Sequence, residues 1–346
     1  MGKGKSRGTK AHPESQSQDQ SSQQCPPELE GGWADASGPD ESAEEEAALY
    51  DAAKVVNRPA YDTKHLDVLQ YNVPELNLTL TLHQSSTTHS TSSSLWLSSQ
   101  VLAAYLLHTP RYARNPRRGA LAVELGAGVG FLSVLLAHMG WDVRATDLPE
   151  VLRGVMKKNG RENAVLERLG MKGRMRRREL DWEQWTGTVE EVQRLTSSAS
   201  DSSASSSSSS SSEEENAPSQ DEARRINLVL ATDTLYVPHL VEPFWRTFSS
   251  LLTSSSSSSG SAVQAELQPE LQPETHGLVA LERRDSPFIT SSLEAAQRFG
   301  LQLTRVSQKK LRRIVRDALK WEEEVWCGVE IWEVKVKVKE EQQEQQ

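Results

Sequence analysis

The sequence predicts an α/β fold, a mostly parallel sheet with helices on both faces, and three observations predict it. Short apolar runs alternate with helical periods between residues 120 and 306. A glycine-rich turn, Gly126-Ala127-Gly128-Val129-Gly130, joins the first core run to a helix. Several runs end in a carboxylate, as strands do where a ligand crevice opens at the sheet edge.

In chain order, residues 65–71 and 76–83 alternate apolar and polar side chains around Asn72-Val73-Pro74-Glu75, which predicts an N-terminal β-hairpin extension. Residues 95–107 place Leu97, Val101, Ala104, Tyr105 and Leu107 at helical spacing. Residues 120–125 form a wholly apolar run ending in Glu and Gly, as a buried parallel strand does. A helix over 131–139 and a strand over 141–146 follow, the strand closing at Asp147. Next come a helix over 150–169, a strand over 175–180 and a strong strand over 226–231. A helix over 240–252, a strand over 276–281, a helix over 292–299 and strands over 301–306 and 329–336 complete the pattern, the last two pairing antiparallel at the edge.

Hydrophobic residues make up 36% of the 346, and the shortfall from a fully globular chain is concentrated in a few segments. Residues 1–48 form a polar tail that cannot bury enough apolar surface to offset its ordering entropy. Residues 197–222 and 253–275 read as Ser-rich disordered insertions and 338–346 as a disordered C-terminal tail, so a single domain is expected over 49–337. The formal charge of −9 comes from those segments: ten acids and no Lys or Arg lie in 14–49, and six acids and no base in 201–222. Net charge therefore says little about the folded surface, and no nucleic-acid preference follows from it.

Two cysteines, Cys25 and Cys327, make no disulfide framework, and a reducing compartment is expected. No apolar run approaches a membrane span and no secretory signal is visible, so a soluble intracellular protein, nuclear or cytoplasmic and monomeric, is the expectation. Met1-Gly2-Lys3-Gly4-Lys5-Ser6 fits a loose myristoylation pattern and equally a basic targeting tail. No metal constellation is seen, because the histidines lack ligand spacing with Cys or a second His.

Glu124-Leu125-Gly126-Ala127-Gly128-Val129-Gly130-Phe131 carries the most chemistry. Lacking Cβ, its glycines let the backbone bend tightly and approach a ligand. A dinucleotide fingerprint places its third glycine where Phe131 stands, so NAD is disfavoured. The Glu-x-Gly-x-Gly-x-Gly spacing resembles motif I of class I methyltransferases.

Asp147, closing the second core strand, either accepts hydrogen bonds from ribose hydroxyls or caps the helix opened by Pro149. Leu180-Asp181-Trp182 ends the third strand, where Asp181 can reach an adenine amino group and Trp182 can line an apolar slot or fill the core. Trp96 is a pocket wall or a core side chain. Ala231-Thr232-Asp233-Thr234-Leu235-Tyr236 ends the fourth strand, where a methyl acceptor would meet the donor. Asp233 can hold an approaching ammonium and Tyr236 orient it, or the pair is a helix cap and a packed ring.

Together, Leu95-Trp96, the glycine turn, Thr146-Asp147, Leu180-Asp181-Trp182 and Asp233-x-x-Tyr236 resemble family 16 methyltransferases over about residues 66–332. That resemblance implies a seven-strand Rossmann-like fold, S-adenosylmethionine as cofactor and a lysine side chain of another protein as acceptor. It implies that Trp96, Glu124, Gly126, Ala127, Gly128, Asp147, Asp181, Trp182 and Ala231 surround the cofactor and that Asp233 and Tyr236 face the acceptor. Glu282 either borders the acceptor channel or pairs with Arg283 or Arg284. No direct nucleic-acid or membrane partner is implied.

Overall fold

A computed structural model describes residues 57–85, 91–113, 120–164, 173–197, 224–254 and 275–337. The polar tail, Cys25, the C-terminal tail and most of both Ser-rich stretches lie outside the described residues. The margins of those stretches do not: Thr253 and Ser254 end a helix, and buried Thr275 donates to the Ile226 carbonyl at 2.8 Å.

The chain opens with α1 (Ala60–Thr63) and an antiparallel hairpin of β1 (Val68–Val73) and β2 (Leu78–His83). Then follow α2 (Leu97–His108), α3 (Pro110–Ala113), β3 (Leu121–Leu125), α4 (Phe131–His138) and β4 (Asp142–Asp147). Next are α5 (Pro149–Arg153), α6 (Val155–Asn163), β5 (Arg174–Glu179), α7 (Val189–Thr196), β6 (Ile226–Thr232), α8 (Val241–Ser254) and β7 (His276–Glu282). The chain closes with α9 (Ser286–Ala295), β8 (Leu301–Arg305), α10 (Gln308–Leu319), α11 (Glu323–Trp326) and β9 (Val329–Val336).

Seven strands form one sheet in the order β5-β4-β3-β6-β7-β9-β8, beside the separate hairpin. Every pair from β5 through β7 is parallel. The antiparallel member is β9, one place in from the edge, paired with both β7 and the edge strand β8. From β3 the chain winds outward to β4 and β5, then returns to lay β6 on the other flank. The carboxyl ends of β3 and β6 thus flank a topological switch point, where such sheets open a crevice.

The central strands read as unbroken apolar runs because both faces are covered. Ala122, Leu228, Leu230, Leu278 and Ala280 pack toward α2, α4 and α10, whereas Val123, Val229, Ala231, Val279 and Leu281 pack toward α7, α8 and α9. Helix α2 is buried on nearly all sides, as its weak amphipathicity requires.

Three local readings change. The helix expected over 150–169 breaks at Gly154 into α5 and α6, and residues 165–172 lie outside the described residues. The helix expected over 292–299 starts six residues earlier, because the Asp285 carboxylate accepts the Phe288 amide at 3.0 Å and Pro287 suits a first turn. Helix α10 was not expected; Leu311, Ile314, Val315 and Leu319 form its buried stripe.

Asn159 of α6 fastens the hairpin to the glycine turn. Its Oδ1 accepts the His83 amide at 2.6 Å, and its Nδ2 donates to the carbonyls of His83 at 3.0 Å and Val129 at 2.8 Å. One turn on, Asn163 repeats the clasp on Thr81, accepting its amide at 3.1 Å and donating to its carbonyl at 2.9 Å.

Candidate active site

The carboxyl ends of β3, β4 and β6 and the first turn of α2 enclose a crevice of about 420 Å³, a size typical of small-molecule sites. Its floor is the turn between β3 and α4. Gly126 and Gly128 hold φ of +66° and +53°, left-handed conformations that favour glycine. A Cβ on Gly126 would stand 3.1 Å from Thr234 Cγ2 and 3.3 Å from the Trp182 ring; one on Gly128 would stand 3.3 Å from the Ser92 carbonyl. The backbone therefore approaches its neighbours so closely that an added Cβ would push them back by a few tenths of an ångström.

Two carboxylates brace this turn. Asp147 Oδ2 accepts the Gly128 amide at 2.9 Å, and Oδ1 accepts the Leu148 amide at 2.8 Å. Each oxygen keeps a lone pair for a ligand, as a ribose acceptor needs, whereas the helix cap that sequence also offered does not form: Leu148 is the N-cap of α5, without a side-chain cap hydrogen bond. Burial raises the Asp147 pKa, and those two N–H bonds oppose the rise. Glu124 is only 2% exposed, and its Oε2 accepts the Ser133 hydroxyl of α4 at 2.5 Å. Burial raises its pKa to about 8 against the pull of Ser133, with nearby Asp147 adding to the rise.

At one end of the crevice the Asp181 carboxylate closes a tight turn, accepting the Glu183 amide at 2.9 Å and the Gln184 side chain at 2.8 Å. Trp182 follows, edge-on to Phe244 of α8 at 5.3 Å between centroids, with its carbonyl held by Arg246. It is at once a wall of the crevice and a core contact, joining the two alternatives left by sequence.

At the other end Asp233 holds φ of +49°, rare outside glycine though tolerated by Asp. Its Oδ2 accepts the Ser98 hydroxyl at 2.6 Å and its Oδ1 the Glu282 amide at 2.8 Å. Next to that pair, Ser99 and Thr232 share a 2.9 Å hydrogen bond, so the start of α2 is tied to the end of β6 at two adjacent points. Burial raises the Asp233 pKa, opposed by the Ser98 and Glu282 hydrogen bonds. Tyr236 stands at the rim, 53% exposed.

Of the eleven residues expected at the site, ten line this crevice. Ala231 does not: it is fully buried on the opposite side of β6, against the α8 core, because it falls on the wrong phase of the strand alternation. Glu282 pairs with Arg284, whereas Arg283 turns away to make two 2.9 Å bonds to Glu330. Sequence reasoning missed Ser92, Ser99, Thr234 and Arg284, which also line the crevice. Among the described residues no group of His, Cys, Asp or Glu side chains could hold a metal ion, and no helix is long and apolar enough to cross a membrane.

Residues 75–195 match the family model described as lysine methyltransferase. Human methyltransferase-like protein 22 is similar at 35% identity over 88 residues, 25% of this chain. The chain thus matches about a fifth of that relative's length. Among solved structures, an S-adenosylmethionine-dependent methyltransferase from Agrobacterium tumefaciens is similar at 10% identity with a TM-score of 0.40, covering 78% of this chain and 70% of the other. Magnesium protoporphyrin IX methyltransferase from Synechocystis PCC 6803, with bound cofactor, is similar at 15% identity with a TM-score of 0.33, covering 70% and 78%.

S-adenosylmethionine is the cofactor this family match brings with it, and the residues present fit it. The glycine turn leaves a cradle a side chain would fill, two carboxylates stand ready for hydroxyl and ammonium groups, and the crevice-lining hydroxyl of Thr234 has no hydrogen-bond partner among the described residues. The stretch that matches the lysine methyltransferase model, residues 75–195, contains the glycine turn, Asp147 and Asp181.

Proposed function

We propose that this protein transfers a methyl group from S-adenosylmethionine to a lysine side chain of a protein substrate, as a nuclear or cytoplasmic enzyme. The observation that carries this reading is the acceptor end of the crevice, which Asp233, Trp96 and Arg284, the ion-pair partner of Glu282, line together. A carboxylate beside an aromatic face suits an alkylammonium.

In this reading Trp96, Glu124, Gly126, Ala127, Gly128, Asp147, Asp181 and Trp182 hold the cofactor, which supplies an electrophilic methyl group when bound. The acceptor amine must be neutral to react, and an unperturbed lysine has a pKa of about 10.4. Exclusion of water in the crevice disfavours the ammonium, while Asp233 favours it. Asp233 therefore orients the incoming group, and Tyr236 at the rim steers it; neither serves as a strong general base. Most of the rate then comes from alignment.

Radiolabelled cofactor incubated with the protein and a cell extract tests this. The expected result is label in a protein band that survives on lysine after hydrolysis. Label confined to small molecules would replace the acceptor assignment with a small-molecule methyltransferase, and cofactor binding without turnover on any extract would leave a non-catalytic binding module.

A further inference from the structure

Lys64, immediately after α1, sends its side chain to the acceptor end of the crevice. Its Nζ lies 4.1 Å from the centroid of the Trp96 ring, and the Arg284 guanidinium lies 4.7 Å from the same centroid. The backbone on either side is pinned, because buried Gln84 donates through its Nε2 to the carbonyls of Thr63 at 2.8 Å and Leu66 at 3.0 Å. Lys64 is therefore held against Trp96, which lines the crevice, and its four-carbon stem gives the amine reach toward Asp233 at the same end.

We propose that Lys64 is a self-methylation site, an intramolecular lysine that enters the acceptor end in cis. The proposal rests on the functional reading above and goes beyond it. A cation over an aromatic face is commonly structural; here that face lines the crevice in which the acceptor is read. Asp233 and Arg284, which line that end of the crevice, both act electrostatically on Lys64. Burial lowers its pKa, Arg284 adds to the lowering, and Glu282 and Asp233 oppose it. The net effect enlarges the neutral fraction that carries a lone pair.

The step balances without a further reagent. The Lys64 lone pair attacks the sulfonium methyl carbon, the N–C bond forms as the C–S bond breaks, and the bonding pair stays on sulfur. S-adenosylhomocysteine leaves, and the methylated ammonium passes a proton to water.

The full chain, purified free of cofactor, is incubated with S-adenosylmethionine and followed by intact mass and peptide mapping. The expected result is a methyl increment on Lys64, absent in Lys64→Arg, whose rate per molecule is unchanged on dilution. An unmodified Lys64 in a chain that binds cofactor by calorimetry and labels an extract protein overturns the proposal and leaves the functional reading intact. Absence of cofactor binding removes the functional reading instead. A rate rising with protein concentration overturns entry in cis.

A second readout needs no turnover. After reductive ¹³C-methylation of the cofactor-free protein, the resonance missing in Lys64→Arg should lie upfield of the other lysines through the Trp96 ring current. A resonance among those of solvated lysines overturns the placement and with it the proposal.

Discussion

The Gly128 amide donates to Asp147 Oδ2 at 2.9 Å, so the turn after β3 and the end of β4 are one unit. A carboxylate at this position serves fold and ligand together, and replacing it separates the two roles. Hydrogen bonds to charged groups contribute about 1.5–3 kcal/mol. Asp147→Asn is expected to weaken S-adenosylmethionine binding roughly 10- to 100-fold by calorimetry, with the circular dichroism spectrum retained. Unchanged affinity would reduce Asp147 to a brace for the turn.

Glu124 makes stability and cofactor binding respond to pH in opposite directions. Its carboxyl titrates near pH 8 in the folded chain and near 4.5 when unfolded. Between those values the folded state binds the extra proton, so this group's contribution to stability is present below the lower value and lost as pH rises through the upper one. The slope approaches about 1.4 kcal/mol per pH unit. Urea titrations should show stability falling from pH 5.5 to 7.5 in the parent more steeply than in Glu124→Gln. A positively charged cofactor favours the ionised form, so binding should release protons, detected as buffer-dependent enthalpy in the parent and reduced in the variant. Equal slopes in the two proteins would sink the assignment.

Gly126→Ala tests the floor of the crevice. The left-handed backbone costs an L-residue about 1–2 kcal/mol, and the added methyl meets Thr234 and the Trp182 ring at 3.1–3.3 Å. Thermal unfolding should report a loss of about that size, and cofactor affinity should fall further as Trp182 is displaced. A variant with parental stability and affinity would mean that the turn relaxes freely.

The central strands were legible in the sequence because a sheet covered on both faces needs apolar side chains at every position, as Leu121-Ala122-Val123 shows. The glycine turn and Asp147 were legible because backbone conformation and strand ends leave a local trace. Helix α10 was masked by its own charge: Lys309, Lys310, Arg312, Arg313 and Arg316 surround an apolar stripe with ordinary helical spacing. Ala231 was misplaced because sequence proximity to Asp233 does not fix which side of β6 a residue faces. Lys64 and Arg284 reach Trp96 from distant segments, a juxtaposition created by tertiary packing and recorded by no local pattern.

Asp233→Asn keeps a residue that tolerates φ of +49° and an oxygen for the Ser98 or Glu282 donor, while removing the charge. If Asp233 orients the acceptor, kcat should fall roughly 100-fold, a scale typical of a lost alignment contact, with cofactor affinity retained. Because burial raises the Asp233 pKa, the acid limb of kcat should lie above the ordinary Asp range, activity falling as pH drops and the carboxylate protonates. A parental kcat on a protein substrate would remove Asp233 from the machinery.

Thr234 gives the sharpest separation of ligand from fold. The residue is 5% exposed and lines the crevice, yet its hydroxyl is buried without a partner among the described residues. An unsatisfied buried polar group costs about 1–3 kcal/mol, a cost a protein retains where a ligand completes the bond. Thr234→Val removes the hydroxyl at nearly constant shape. The cofactor-free variant should therefore be as stable as the parent or more stable by up to about 1 kcal/mol in urea, while its affinity for S-adenosylmethionine falls several-fold. The two shifts must have opposite sign, because the same hydroxyl weakens the empty crevice and strengthens the filled one. Loss of stability with unchanged affinity would assign the hydroxyl to the fold.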